Sequence, residues 1–116
     1  MRRYRANKYG NKKTVLDGIT FDSRAEARRY AELKLMEKAG EIHGLELQMP
    51  FILQASFTDK HGKKQSSIKY IADFAYFDND GELVIEDVKS PATRKNAVYR
   101  MKKKMMAYRG YEITEV

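Results

Sequence analysis

The 116-residue chain has no cysteine and no tryptophan, two prolines and two histidines. Without cysteine there is no disulfide and no thiolate-held zinc. His43 and His61 each stand beside a glycine in a turn-like stretch, so a histidine-ligated metal is not expected. No apolar run is long enough to cross a bilayer, which excludes a helical membrane span. The basic N-terminal stretch lacks the apolar core of a secretory signal. A cytoplasmic location is the expectation.

What the chain has in excess is positive charge. Lys and Arg number 23 against 16 acids, a formal net charge of +7 with a pI near 9.6. The distribution is uneven. Arg2, Arg3, Arg5, Lys8, Lys12 and Lys13 crowd the first thirteen residues, with Tyr4 and Tyr9 between them. Arg94, Lys95, Arg100, Lys102, Lys103 and Lys104 form a second cluster. Such clusters are solvated surface in many proteins; here they are candidate contacts to nucleic-acid phosphates. The length fits one domain. Residues 1–13 read as a basic arm and 14–116 as a single domain. A 42% hydrophobic fraction supports a small core. A second copy would add burial, so a homodimer is expected.

Periodicity orders the elements. Val15 to Phe21 reads as a short extended piece with a turn at Asp17-Gly18. Ser23-Arg24-Ala25-Glu26 matches a capping box and opens a helix to Ala39, with Gly40 just past its end. Glu26, Tyr30 and Leu33 line its inner face. Strands are predicted over Leu45 to Phe57, Ser66 to Phe77 and Leu83 to Lys89, with turns at 59–63 and 78–81. In the second strand Ile68, Tyr70, Ala72, Phe74 and Tyr76 alternate onto one face, and Ile71, Asp73 and Ala75 onto the other. Pro91 ends the third strand. A second helix is predicted over Thr93 to Arg109, with Ala97, Val98, Met101, Met105 and Tyr108 on one arc. Its methionines are gap-filling rather than a cofactor box. Tyr111 to Val116 forms a last short strand. The order αβββαβ implies an α/β fold, a mixed sheet flanked by helices.

Charges interrupt the apolar runs at Asp73 and at Asp87-Val88-Lys89. Burying an unpaired carboxylate is costly, so such residues need a reason. Asp87 and Lys89 are two apart and project from one face of a strand. A hairpin between the second and third strands brings Asp73 beside them. An exposed pair at a strand end is the bland alternative for Asp87 and Lys89. Convergence of all three suits a divalent metal and a phosphate instead. Asp73 and Asp87 would hold Mg2+, with Mn2+ as a substitute and the Val88 backbone carbonyl as a further ligand. Lys89 would orient the attacking water or stabilise developing charge. Glu26 is either the far half of the capping box or a third acid, reaching the metal directly or through water. Gln48, polar among apolar neighbours, is either a backbone partner or site support. Glu86 should face away from Asp87 into a salt bridge or solvent.

The pattern resembles the PD-(D/E)xK nuclease superfamily, and more closely a family of small phage and prophage proteins assigned to it. The matching stretches are Asn7–Gly10, Gly18–Glu26, Ala39–Ile42, Leu45–Gln48, Tyr70–Phe74 and Glu86–Ser90. The resemblance implies that Asp73, Asp87 and Lys89 fill the three catalytic positions and that Glu26 is the first-helix acid. Ala72 stands where the pattern has proline, and the second acid is Asp, which leaves Glu86 and Asp87 both candidates. It also implies a Mg2+-dependent endonuclease acting on DNA, with branched or Holliday-junction DNA in recombination or replication as substrate, in the host cytoplasm if phage-encoded. Arg2, Arg3, Arg5, Lys8, Lys12, Lys13, Arg94, Lys95, Lys102 and Lys103 would contact the DNA. The competing expectation is a non-catalytic nucleic-acid-binding module in which the acids are structural.

Overall fold

Thr14–Leu16 (β1) and Ile19–Phe21 (β2) pair antiparallel across Asp17-Gly18. Both turn residues have positive φ, 53° and 76°, as the two-residue hairpin turn with matching twist requires. The computed structural model describes residues 13–116. Arg2, Arg3, Arg5, Lys8 and Lys12 lie outside the described residues. Lys13, at the surface, has Nζ 4.0 Å from Asp22 Oδ1.

Helix α1 spans Arg24–Lys38. Ser23 caps it: its Oγ accepts from the Glu26 backbone N–H at 3.1 Å. Gly40, at φ 80°, closes it, because Gly40 N donates to Glu37 O and Glu41 N to Met36 O. Glu26, Ala27, Tyr30 and Leu33 are its buried residues, so the inner face is the expected one.

After α1 comes β3 (Ile42–Gln54), and then a small hairpin of β4 (Phe57–Thr58) with β5 (Lys64–Gln65). The chain returns along β6 (Ile68–Asp78) and β7 (Leu83–Asp87). With β8 (Ile113–Glu115) these form the main sheet, in the order β3-β6-β7-β8. The first three of that order run antiparallel, and β8 joins β7 in parallel. The turn after β6 is held by Asp78, whose Oδ1 accepts from Asp80 N and Glu82 N, both at 2.9 Å. Between β7 and β8 the chain forms α2 (Pro91–Arg94) and α3 (Ala97–Tyr108). The result is a mixed α/β fold with a mixed sheet flanked by helices.

Expectations for three elements need correction. The first strand of the sheet begins at Ile42 and ends at Gln54, about three residues earlier than Leu45 to Phe57. Periodicity locates a strand centre but not its ends. The helix predicted over 93–109 is two helices. Asn96 restarts it, its Oδ1 accepting from Tyr99 N at 2.9 Å. The arc facing the sheet is also different: Tyr99 and Met106 are buried, while Val98, Met101 and Tyr108 are exposed. Both arcs are apolar, and periodicity alone does not say which one meets the sheet.

The third correction bears on the site. The residues Ile68, Tyr70, Ala72, Phe74 and Tyr76 do not share one environment. Phe74 and Tyr76 pack with Phe21, Ala27, Tyr30 and Leu33 in a core under α1. Tyr70 and Ala72, with Ile68 beside them, pack with Ile85, Tyr99, Met106 and Ile113 in a core under α3. The β3–β6 ladder runs from Leu47–Phe74 to Met49–Ala72 and passes over Gln48 and Asp73. Gln48 there adopts φ 54°, a left-handed conformation rare for a residue with a side chain. The alternation of β6 is reset at Asp73.

A buried ion pair joins α1 to the sheet. Glu86 is 1% exposed. Arg29 grips it with both ends of the guanidinium, Nε to Oε1 and Nη2 to Oε2, each at 2.7 Å. Tyr76 OH also donates to Glu86. Removing one partner would strand a buried charge. Arg29→Ala is expected to destabilise the fold by about 3–5 kcal/mol in urea melts. The combined replacement Arg29→Met, Glu86→Leu, Tyr76→Phe should recover most of that deficit. A triple variant as unstable as Arg29→Ala would show that the cost lies in packing rather than charge.

Candidate functional site

The reset in β6 is held by an exchange of hydrogen bonds. Asp73 N donates to Asp87 Oδ1 at 3.1 Å, and Val88 N donates to Asp73 Oδ2 at 2.9 Å. Each carboxylate takes the place of a ladder acceptor where β6 and β7 part. Tyr70 OH donates to the other oxygen of Asp87, which is 1% exposed. Lys89 Nζ stands 3.6 Å from that same oxygen, Asp87 Oδ2, and 4.5 Å from the centroid of the Tyr99 ring. Two backbone bonds fix this stretch: Lys89 N donates to Val116 O at 3.2 Å, and Val116 N to Asp87 O at 2.9 Å.

Glu26 reaches the same place from α1. It is buried, and Gln48 Nε2 donates to its Oε1 at 3.5 Å. Burial raises the Glu26 carboxyl, and the charges of Asp22 and Asp87 add to this. The Asp73 carboxyl is pushed up to about 7, first by burial and then by the Asp87 charge beside it. Burial and the hydrogen bond to Asp87 raise Tyr70, so its phenol remains a donor. The site is therefore a knot of carboxylates with Lys89 as the cation against them.

The predicted site residues thus fall into two groups. Asp73, Asp87 and Lys89 come together, and Glu26, joined to Gln48, lies near enough to interact with the charges of Asp87 and Lys89. Glu86 lies on the opposite face from Asp87, bound by Arg29, in keeping with its alternation. The second basic cluster is less free than expected. Arg94 Nε lies 3.6 Å and Lys103 Nζ 3.1 Å from the carboxylate of Glu115, Lys102 is half-buried, and Lys95 is exposed. Among the described residues no three His, Cys, Asp or Glu side chains form a ready cage for a cation. The oxygen donors at hand are the Asp73 and Asp87 carboxylates, the Val88 carbonyl and Glu26 farther off.

Sequence pattern does not single out Tyr70, Tyr99, Arg29 or Glu115. Tyr70 is absorbed by an apolar stripe, and only its spacing three residues before Asp73 hints at more. Tyr99 sits off the arc expected to face inward. Arg29 and Glu115 acquire their roles from contacts 57 and 12 to 21 residues away in sequence.

The fold and site define a small mixed α/β domain with an acid–lysine cluster where its sheet opens. The chain belongs to the family described as protein of unknown function (DUF1064), which matches residues 6–116. No curated protein and no solved structure matches it.

The raised Asp73 carboxyl has a consequence for stability. In the unfolded chain the group titrates near 3.8, and in the fold near 7. The fold therefore holds the extra proton between these values. Its contribution to stability is present below about pH 4 and is lost as pH rises through 7. Asp73→Asn keeps an acceptor for Val88 N and removes the charge. In EDTA at about pH 8 this variant is expected to be more stable than the parent by about 1–4 kcal/mol, at about 1.4 kcal/mol per pH unit of displacement. The gap should close towards about pH 4. A gap independent of pH in chemical unfolding would refute the raised carboxyl.

Proposed function

We propose that the chain is a Mg2+-dependent endonuclease with a PD-(D/E)xK core, hydrolysing DNA phosphodiester bonds, with branched or Holliday-junction DNA of phage recombination or replication as its substrate class. The observation that carries this is the meeting of Asp73, on β6, with Asp87 and Lys89, at the end of β7, with Glu26 near enough to feel the charge of Asp87. The donor set fits the ion. Mg2+ is commonly bound through one or two carboxylates and keeps several waters, so it does not need a closed protein cage. Asp73 and Asp87 would hold it with the Val88 carbonyl, Glu26 would act directly or through water, and Mn2+ would substitute. Bound there, the ion would lower the pKa of a water and offset charge on the phosphate.

The chain's own groups do the rest. Lys89, a compact point charge steadied over Tyr99, would donate to the phosphate oxygens as negative charge builds on them. Tyr70 would keep Asp87 oriented through its phenol. In the reaction a water oxygen bonds to phosphorus, one P–O bond to a sugar oxygen breaks, and the leaving oxygen takes a proton. No side chain is needed as covalent nucleophile. Gln48 would hold Glu26 towards the site. A homodimer would carry two such sites, as cutting both strands requires.

A second reading is favoured by one observation: each aspartate already accepts a hydrogen bond from backbone, and Asp87 a further one from Tyr70. In that reading the acids are structural and the domain binds nucleic acid without cutting it. A nuclease assay separates the two. Four-way junction, flap, nicked, duplex and single-stranded DNA would be incubated with Mg2+, Mn2+ or EDTA. Cutting with metal, absent in EDTA and reduced about 100-fold or more in Lys89→Ala, is the expected result. Binding without cutting in every metal would establish the second reading.

A further inference from the structure

Glu115 is the register partner of Asp87 across the parallel β7–β8 pair. Unlike Asp87, it is surrounded by cationic donors. Tyr99 OH donates to its Oε2 at 2.6 Å. Lys103 Nζ lies 3.1 Å from the same oxygen, and Arg94 Nε lies 3.6 Å from Oε1. Those donors hold the carboxyl below its usual range. The cleft around it has a volume of about 390 Å³, and Arg100 and Lys104 extend its lining. Four cations, a phenol and one carboxylate thus meet in a single open cleft. A phosphate diester oxygen presents the charge and acceptor geometry that the Glu115 carboxylate presents now.

The cleft is joined to the acid site by one side chain. Tyr99 carries Lys89 over its ring and Glu115 on its hydroxyl. The backbone link between Val116 and Asp87 makes the connection rigid. A strand whose phosphate lay at Lys89 would have its neighbouring phosphates within reach of the cleft.

We infer that this cleft is a second phosphate site, which takes a backbone phosphate next to the one at Lys89, and that Glu115 is its built-in competitor. In the free protein Glu115 occupies the donors. When a strand binds, the phosphate displaces the carboxylate from Arg94 and Lys103. This rests on the nuclease reading for the role of Lys89. It can nevertheless fail or hold independently, since it is a statement about binding.

The test is binding of a fluorescent single-stranded oligonucleotide in EDTA across a salt series, where no cutting occurs. Four proteins are compared: the parent, Arg94→Ala/Lys103→Ala, Glu115→Gln and Glu112→Gln. Glu112 is an exposed acid on the same segment and serves as the control for general charge. The basic double variant should bind about tenfold more weakly, with a salt slope flatter by about 0.7 for each phosphate it no longer neutralises. Glu115→Gln should tighten binding about three- to tenfold, and Glu112→Gln should not. A melting curve for each variant identifies any that have failed to fold. If the basic double variant keeps the parent's slope, or if the two glutamate variants change affinity alike, the cleft is an ordinary surface ion cluster. No binding by the parent also overturns it. Normal binding shifts with no cutting in Mg2+ would preserve the cleft and remove the nuclease reading.

Discussion

Asp73 and Asp87 each accept a hydrogen bond from backbone beside the other, and the open end of the sheet depends on that exchange. Where β6 and β7 part, backbone N–H groups lose their ladder acceptors. Buried N–H groups without partners are costly. Here two carboxylates supply the acceptors, so the strands can separate without leaving donors unpaired. The same point resets the alternation of β6. Residues before Asp73 then serve the core under α3, and residues after it serve the core under α1. One cross-strand exchange thus divides one strand between two cores and leaves two carboxylates side by side at the division.

Glu86 and Asp87 show how adjacent acids acquire different roles. Alternation sends their side chains to opposite faces. Glu86 meets a guanidinium that satisfies both its oxygens, with the Tyr76 hydroxyl as a further donor. Its charge is matched in the interior and its function is to dock α1. Asp87 meets a phenol, a backbone N–H and a lysine 3.6 Å away. Docking α1 through Glu86 also sets where Glu26 arrives, since Glu26 lies one turn before Arg29 on that helix. The structural acid positions an element of the candidate site, and the faces of β7 decide which acid belongs there.

Much of this is legible in the sequence. The element order, the Ser23 cap, the Gly40 stop, the inward Glu26–Tyr30–Leu33 stripe and the 78–81 turn follow from local chemistry, which acts over a few residues. The meeting of Asp73, Asp87 and Lys89 follows from strand alternation and one hairpin. What is hidden depends on tertiary choice. The split of β6 arises from a break in pairing that no periodicity records, because Tyr70 to Tyr76 alternates without a flaw. The inward arc of α3 differs from the expected one because Val98, Met101 and Tyr108 are as apolar as Tyr99 and Met106. The restart at Asn96, with a new cap, sets which arc faces the sheet. The partners of Glu115 and Arg29 lie too far along the chain for local pattern to join them.

The charge distribution of the fold bears on the proposed nuclease reading more than the presence of acids does. The chain carries a net charge of +7, so it has cations to spare. Arg29 neutralises Glu86 on one face, and Arg94 and Lys103 gather around Glu115 at the sheet edge. Between these two well-matched acids, Asp73 and Glu26 are both raised by burial and by neighbouring negative charge. Lys89, whose Nζ lies 3.6 Å from Asp87 Oδ2, offsets part of this charge. Retaining an under-compensated cluster beside two compensated ones places the unbalanced charge at a single point. That is the arrangement a site needs if its missing positive charge arrives from outside the chain.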